Sequence, residues 1–506
     1  MKKKVSKTTS FWLEIEQPNN LSVLTGLIEL SAPIHLKTLH SLVERRLLHV
    51  NSFLERVVED QEHKKNYYWV KDDHFDIRTH IQMVRLKNPN DIKSLHEMMT
   101  DIMSVPLDMN KPLWQFFLVD KYQSGCAIIT KTHQALMDRV DLIRVLTSLS
   151  DSVDGNRPKK CPQLDPYPKS QWKRFSESLF QQTKTCIDYS SKAASTLMTS
   201  IMQPLTNPFY LIEKIRLAMG TTADRISETG KLLFMNSDSD SILKGNLGKI
   251  KQYAWSREFP LKDIHYLAKA TNSTVNVIYI STLTGAIKQY LKYRKNPVDY
   301  REIRAITPVD TRMNTGGYSG IVRFGLIPFD LPVHIDDPLL RITEIKRRIQ
   351  NIDLLPDAVS VFGFLIHLGM SMQTFTQKIA IPFSQKSSLL MTNTQGPKRT
   401  LFINNIPVSN IMFWLPRIGH IGLGTTILSY DQNVRLGMAC DNNQISDPKA
   451  FIEAFELQLT RLTELVSKKV SRQLKTLAER ETEKTTDNHP PPIAVDNVAK
   501  EMLSLG

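Results

Sequence analysis

The sequence predicts an α/β (α+β) protein built as two units, and three observations point there. Strand-like apolar runs alternate with segments of helical spacing in residues 1–151, and do so again in residues 247–467. Between these regions, residues 152–246 carry Pro158, Pro162, Pro166, Pro168, Pro204 and Pro208 among polar, helix-compatible stretches. The chain has 506 residues, 41% of them hydrophobic, enough to fill two or three separate cores.

In the first unit, residues 22–30 read as a strand, and Pro33 and His35 open a helix running to about Val50. Residues 67–70 and 77–84 alternate as strands do. Residues 91–103 form a helix with Leu95, Met98, Met99 and Met103 as its apolar stripe, stopped near Pro106. The β-rich run 112–119 then feeds a strand that ends on His133. Five residues later Asp138 opens a second helical pattern through Val140, Leu142, Ile143, Val145, Leu146 and Leu149. Strand, histidine at the turn and helix together present an imidazole on rigid backbone. A packed or surface histidine at a strand end is the plainer alternative.

Residues 152–246 read as a linker with helices at 172–199 and 210–219, since a structureless loop of that length is unusual. In the second unit, 253–256 is a strand and Pro260 begins a helix. A longer helix runs from Thr274 to about Tyr293, with Ser273 or Thr274 as its cap. Strands are expected at 303–309, 324–331 and 388–393, with an Arg- and Lys-rich helix at 338–352. Residues 424–430 and 434–439 flank a hairpin turn, and 448–466 closes the unit as a helix. Residues 468–506 read as a charged tail, partly helical and then disordered.

Several function classes are set aside by composition. The richest apolar stretch, 359–372, is broken by Gly363, His367 and Gly369, so no transmembrane helix is expected. The start is basic, but polar residues follow where a signal peptide needs its apolar core. Four unpatterned cysteines suggest a reducing compartment, with neither a disulfide framework nor a metal site. The net charge of +14 favours anionic partners such as a phospholipid surface or coenzyme A phosphates. No motif that reads nucleic acid is present, and none is expected as a partner.

The stretch His133-Gln134-Ala135-Leu136-Met137-Asp138-Arg139 resembles the HHxxxDG motif of CoA-dependent acyltransferases. Within them it is most similar to the wax ester synthase/diacylglycerol acyltransferase family. In that register Gln134 stands in place of the family's catalytic second histidine, and Arg139 in place of its closing glycine. The resemblance continues through Pro112-Leu113-Trp114, the run 305–312, Thr392-Asn393-Thr394-Gln395-Gly396-Pro397 and the hairpin 425–437. Asn276-Val277 stands where the family has an Asn-Asp pair, and Gly424 where it has an Asn.

The resemblance implies two chloramphenicol-acetyltransferase-like domains, 1–151 and 247–467, joined by the linker and meeting at a tunnel. It implies transfer of a long-chain acyl group from acyl-CoA, as substrate rather than cofactor, to a fatty alcohol or diacylglycerol. His133, Gln134 and Asp138 become the catalytic candidates, with Arg304 or Arg312 as partner for Asp138. Trp114, Asn276, Asn393 and Gly396 become the substrate-binding candidates, with Trp114 equally readable as a core anchor. His265, His367 and His420 are further histidines that could reach the centre. The expected location is the cytoplasm, or the surface of a membrane or lipid inclusion. Because a carboxamide does not titrate near neutrality, the alternative is a catalytically impaired relative that binds acyl-CoA or lipid, or partners an active enzyme.

Overall fold

A computed structural model of the chain describes residues 2–62, 66–137, 145, 148–151, 236–310, 324–353 and 384–486. The linker helices, the stretch 359–372, the end of the tail, Asp138, Arg139, Arg312 and His367 lie outside them. The first region contains β1 (Lys3–Lys4), α1 (Lys7–Ile15), β2 (Val23–Leu30), α2 (Leu36–Arg46), β3 (Glu55–Glu59) and β4 (Tyr67–Lys71). It continues with α3 (Ile77–His80), β5 (Ile81–Val84), α4 (Ile92–Met103), β6 (Trp114–Tyr122), β7 (Gly125–His133) and α5 (Gln134–Met137). Residues 77–84 are therefore a helical turn and a short strand, not one strand. The Asp76 carboxylate accepts from the Arg78 N–H at 2.9 Å and starts the turn.

The second region contains β8 (Lys251–Trp255), β9 (Phe259–Pro260), α6 (Leu261–Ala270), α7 (Val275–Tyr293), β10 (Ile303–Asp310) and β11 (Phe324–Leu331). Then come α8 (Pro338–Asp353), β12 (Leu389–Gln395), β13 (Phe402–Ile403), β14 (Ile406–Trp414), β15 (Leu423–Tyr430), β16 (Asn433–Asp441) and α9 (Pro448–Thr486). Thr274 caps α7 through its hydroxyl. α9 runs on past the expected end near Val466.

Two large sheets organise these elements. One runs β13-β14-β2-β7-β6-β5 and the other β11-β10-β12-β15-β16-β8, with β9 paired to β16. β13 and β14 belong by sequence to the second region, yet β14 pairs antiparallel with β2, Trp414 facing Thr25 and Met412 facing Leu27. The second region thus completes the first sheet. Buried Tyr253, Trp255, Ile306 and Leu390 accordingly share one apolar cluster with Leu27, Trp114 and Ile128. α4 and β8 lie in the seam, where the Lys251 N–H donates to Ser104 Oγ at 3.1 Å.

Candidate active site

β7 is apolar and β-branched along most of its length and is buried from end to end. Its register with β2 sets His133 opposite Val23 and Lys131 opposite Thr25. Opposed residues share a sheet face and neighbours along a strand alternate, so His133, Lys131, Thr25 and Trp414 point to one side. That side meets α4 and β8: Thr25 Oγ1 lies 3.3 Å from the Tyr253 hydroxyl and donates to Met103 Sδ at 3.3 Å. The Lys131 ammonium donates to the Ile102 and Val105 carbonyls, at 2.7 and 2.5 Å, at the C-terminal end of α4. Cations are favoured at that end of a helix. Burial pushes this lysine down to about 8, with the Glu16 charge pulling the other way.

His133 is 1% exposed and both ring nitrogens are engaged. The Ala135 N–H donates to Nδ1 at 3.0 Å, and Nε2 lies 2.9 Å from Glu16 Oε2. A backbone N–H can only donate, so Nδ1 bears the lone pair and Nε2 the proton that Glu16 accepts. The same carboxylate oxygen accepts from the Ser22 N–H at 2.8 Å. Burial alone would raise the Glu16 pKa. The hydrogen bonds from His133 and from the Ser22 N–H, with the Lys131 charge, outweigh it and hold the group below the usual carboxylate value. In this arrangement the imidazole has no lone pair left to accept a proton from an alcohol. So held, the ring ties the strand-to-helix turn to Glu16, and the base role expected of it has no free ring nitrogen here.

The next residue differs. Gln134 opens α5, its N–H donates to the Ser22 carbonyl at 2.7 Å, and its side chain is half-buried. Its Oε1 is buried without a hydrogen-bond partner among the described residues. A short helix thus begins at Gln134, and the helix start expected at Asp138 lies outside the described residues. Arg304, one of the two partners suggested for Asp138, is held by Asp330 through a bidentate pair at 2.7 and 3.2 Å.

Trp114 lies opposite Thr132, on the sheet face turned away from His133. It is fully buried against Phe53, Phe75, His80 and Phe116, and its indole N–H donates to the Phe53 carbonyl at 2.9 Å. It is packed as a core anchor. Asn276 at the start of α7 and Asn393 on β12 do come together, the Asn393 amide donating to Asn276 Oδ1. With Tyr279, Ile280, Thr307, Met391 and Ile427 they line a small cavity. Gly396 serves packing at the end of β12: its N–H donates to the Ser429 carbonyl at 2.8 Å, and a Cβ there would lie 2.5 Å from that oxygen. His265 is exposed on α6, and His420 is half-buried in the loop between β14 and β15. No cluster able to hold a metal occurs among the described residues.

Glu16 and Lys131 were not singled out in the sequence. Glu16 stands 117 residues from its histidine, at the end of a helix with no motif of its own. Lys131 does carry one faint signal, a charged residue inside an apolar strand two positions before His133.

The chain matches the wax ester synthase/diacylglycerol acyltransferase catalytic domain over residues 6–279 and the C-terminal domain of that family over residues 323–463. It is 23% identical over 407 residues to a probable diacylglycerol O-acyltransferase of Mycobacterium tuberculosis, covering 78% of this chain and 81% of the relative. An O-acyltransferase of Acinetobacter baylyi is 23% identical over 385 residues, covering 74% and 79%. Among solved structures, the wax ester synthase/diacylglycerol acyltransferase of Marinobacter aquaeolei VT8 superposes with a TM-score of 0.65 at 16% identity, covering 92% of this chain and all of the other. A trichothecene 15-O-acetyltransferase from Fusarium sporotrichioides gives 0.55 at 12% identity, covering 91% and 94%. These two share the fold. The match over more than half of its length makes the chain a member of the wax ester synthase/diacylglycerol acyltransferase family, a family of O-acyltransferases.

Proposed function

We propose that the chain transfers a long-chain acyl group from acyl-CoA to a fatty alcohol or diacylglycerol, with Gln134 orienting the acceptor. The carrying observation is the contrast at the turn: the His133 nitrogens are both spent, while Gln134 Oε1 is a buried acceptor without a partner among the described residues. In the reaction the alcohol oxygen bonds to the thioester carbonyl carbon, the C–S bond breaks, and the hydroxyl proton ends on the coenzyme A thiolate. A carboxamide oxygen can accept the hydroxyl's hydrogen bond and aim it, but cannot hold the proton between those steps. Loss of a general base costs about 10²–10⁴ in rate, while positioning of the two reactants is retained. The resulting enzyme is slow.

The same contrast favours a second reading, a relative that binds acyl-CoA or lipid without turning it over. No helix among the described residues is long and apolar enough to cross a membrane, and the basic balance supports contact with an anionic lipid surface. Purified chain is given palmitoyl-CoA with hexadecanol or diacylglycerol, and free thiol is followed. The proposal expects thiol release above an enzyme-free control that depends on the acceptor. Saturable acyl-CoA binding without release selects the second reading, and absence of both removes the two together.

A further inference from the structure

Glu16 stands where local rules disfavour it. It is the C-terminal cap of α1, and an anion at that end opposes the helix dipole. Its side chain is only 21% exposed, and withdrawing a carboxylate from water is costly unless it is paired or hydrogen-bonded. Neither cost is offset within α1. The printed partners of its carboxylate, Ser22 and His133, both lie beyond the helix. A side chain that breaks a local rule and is compensated from elsewhere in the fold marks a strained or functional position.

Both partners lead to one place. The first N–H groups of a helix have no acceptor inside it. At the start of α5 the Gln134 N–H donates to the Ser22 carbonyl at 2.7 Å, and the Ala135 N–H donates to His133 Nδ1 at 3.0 Å, so the imidazole serves as a cap. The Ser22 N–H and the His133 Nε2–H in turn both end on Glu16 Oε2, at 2.8 and 2.9 Å. One oxygen therefore holds, by two routes, the two peptide groups that flank the Gln134 Cα.

We propose that Glu16 is a positioning residue for the acceptor: by fixing both peptide groups around Gln134, its carboxylate sets the direction in which the Gln134 side chain leaves the turn. A charged acceptor suits that task, because hydrogen bonds to an ionised group are roughly twice as strong as neutral ones. Among the described residues, the titratable groups acting on Glu16 are His133 and Lys131, both on β7. Burial alone would raise its pKa, but the hydrogen bonds from His133 and Ser22 hold it below the ordinary 4.5, so the charge is present at neutral pH and lost only in acid. This deepens the proposed function by naming what aims Gln134, and it rests on that reading for the role of the carboxamide.

The test joins amide hydrogen exchange, which needs no turnover, to thiol release, in the full chain and in Glu16→Gln and Glu16→Asp. Glu16→Gln keeps the shape and removes the charge. It is expected to speed exchange at Gln134 and Ala135 about tenfold, while Ile128 and Ile129, paired in the middle of β7, keep their protection. Thiol release should fall about tenfold in kcat with the KM for palmitoyl-CoA unchanged. Glu16→Asp keeps the charge and should recover part of both. Unchanged exchange in Glu16→Gln, or protection lost along the whole of β7, overturns the proposal, as does a loss confined to KM or faster exchange with kcat unchanged. The local exchange change in a chain that releases no thiol supports the positioning of Gln134 and overturns the reaction instead. Should Glu16→Gln not fold, the unaltered chain gives the same comparison by pH. A carboxyl whose pKa is lowered by folding contributes at pH 7 and stops contributing as pH falls through that lowered value. Exchange at Gln134 and Ala135, corrected for its intrinsic rate, should then rise below pH 4.5 ahead of Ile128 and Ile129, and a simultaneous rise at all four overturns the proposal.

Discussion

The two faces of β7 are one residue apart along the chain and do different work. On one face Thr132 looks toward Trp114, packed among Phe53, Phe75, His80 and Phe116 with its indole N–H satisfied. On the other, His133 and Lys131 look into a seam lined by α4 and β8, where polar groups are numerous and only some are satisfied. Trp255 and Trp414 both bury indole N–H groups that lack partners among the described residues, as Gln134 buries a carbonyl oxygen. The dry face, aromatic and uncharged, is not wholly satisfied either, since His80 Nε2 and Thr130 Oγ1 are buried there without partners among the described residues, and the seam side differs in holding the Lys131 ammonium and the Glu16–His133 pair. Residue type alone does not make this division: Trp114 is packed in the core and both His133 nitrogens are hydrogen-bonded, while Gln134 Oε1 has no partner among the described residues.

The comparison can be sharpened first on the seam side. Gln134→His restores a titratable group at the turn and is expected to raise thiol release by about 10²–10⁴ over the unaltered chain. An unchanged rate would mean that position 134 does not face the reacting atoms. On the dry face, Trp114→Ala should cost about 3–5 kcal/mol of stability by urea unfolding, the range for emptying a large aromatic from a core. It should leave acyl-CoA binding by the folded fraction intact. A small stability cost with weakened acyl-CoA binding would return Trp114 to the pocket.

The smallest effect concerns Lys131. Its pKa in the folded chain is pushed down to about 8 from the ordinary 10.5, so between those values the folded state binds fewer protons at this site than the unfolded state. Stability from this residue therefore rises with pH across that window. Lys131→Met should flatten that part of the melting-temperature profile. A profile unchanged between pH 8 and 10 would show the ammonium to be better solvated than its burial implies.

Much of the fold was legible because local pattern and local structure agree. α4 follows from its Leu and Met stripe, α7 from its Thr274 cap, and the β15–β16 hairpin from Asp431-Gln432-Asn433, where Asp431 and Gln432 take the left-handed conformation such a turn requires. β14 was not read, for a physical reason. From Asn410 to Trp414 it is buried on both faces, so no alternation marks it, and its partner β2 lies some 380 residues earlier in the chain. The extension of α9 beyond Val466 reads in the sequence only as a partly helical tail, because its charges look solvated and no apolar stripe ties it to the closing helix.

The candidate site was less legible than the fold. The motif located the turn, but only the hydrogen-bond geometry separates the brace at 133 from the open acceptor at 134. Trp114 needed the register of β6 against β7 to be assigned to a face. Buried polar atoms have to be counted in three dimensions before a brace can be told from a site.

The claim beneath this account is that His133 is spent as a hydrogen-bonding brace. It is tested most directly by the imidazole nitrogen spectrum of histidine-labelled protein at pH 7, with the His133 signals assigned by their loss in His133→Asn. A neutral ring with the proton on Nε2 and a bare, hydrogen-bonded Nδ1 is the predicted result. A ring carrying its proton on Nδ1, with Nε2 free to take a hydroxyl's hydrogen, would contradict it.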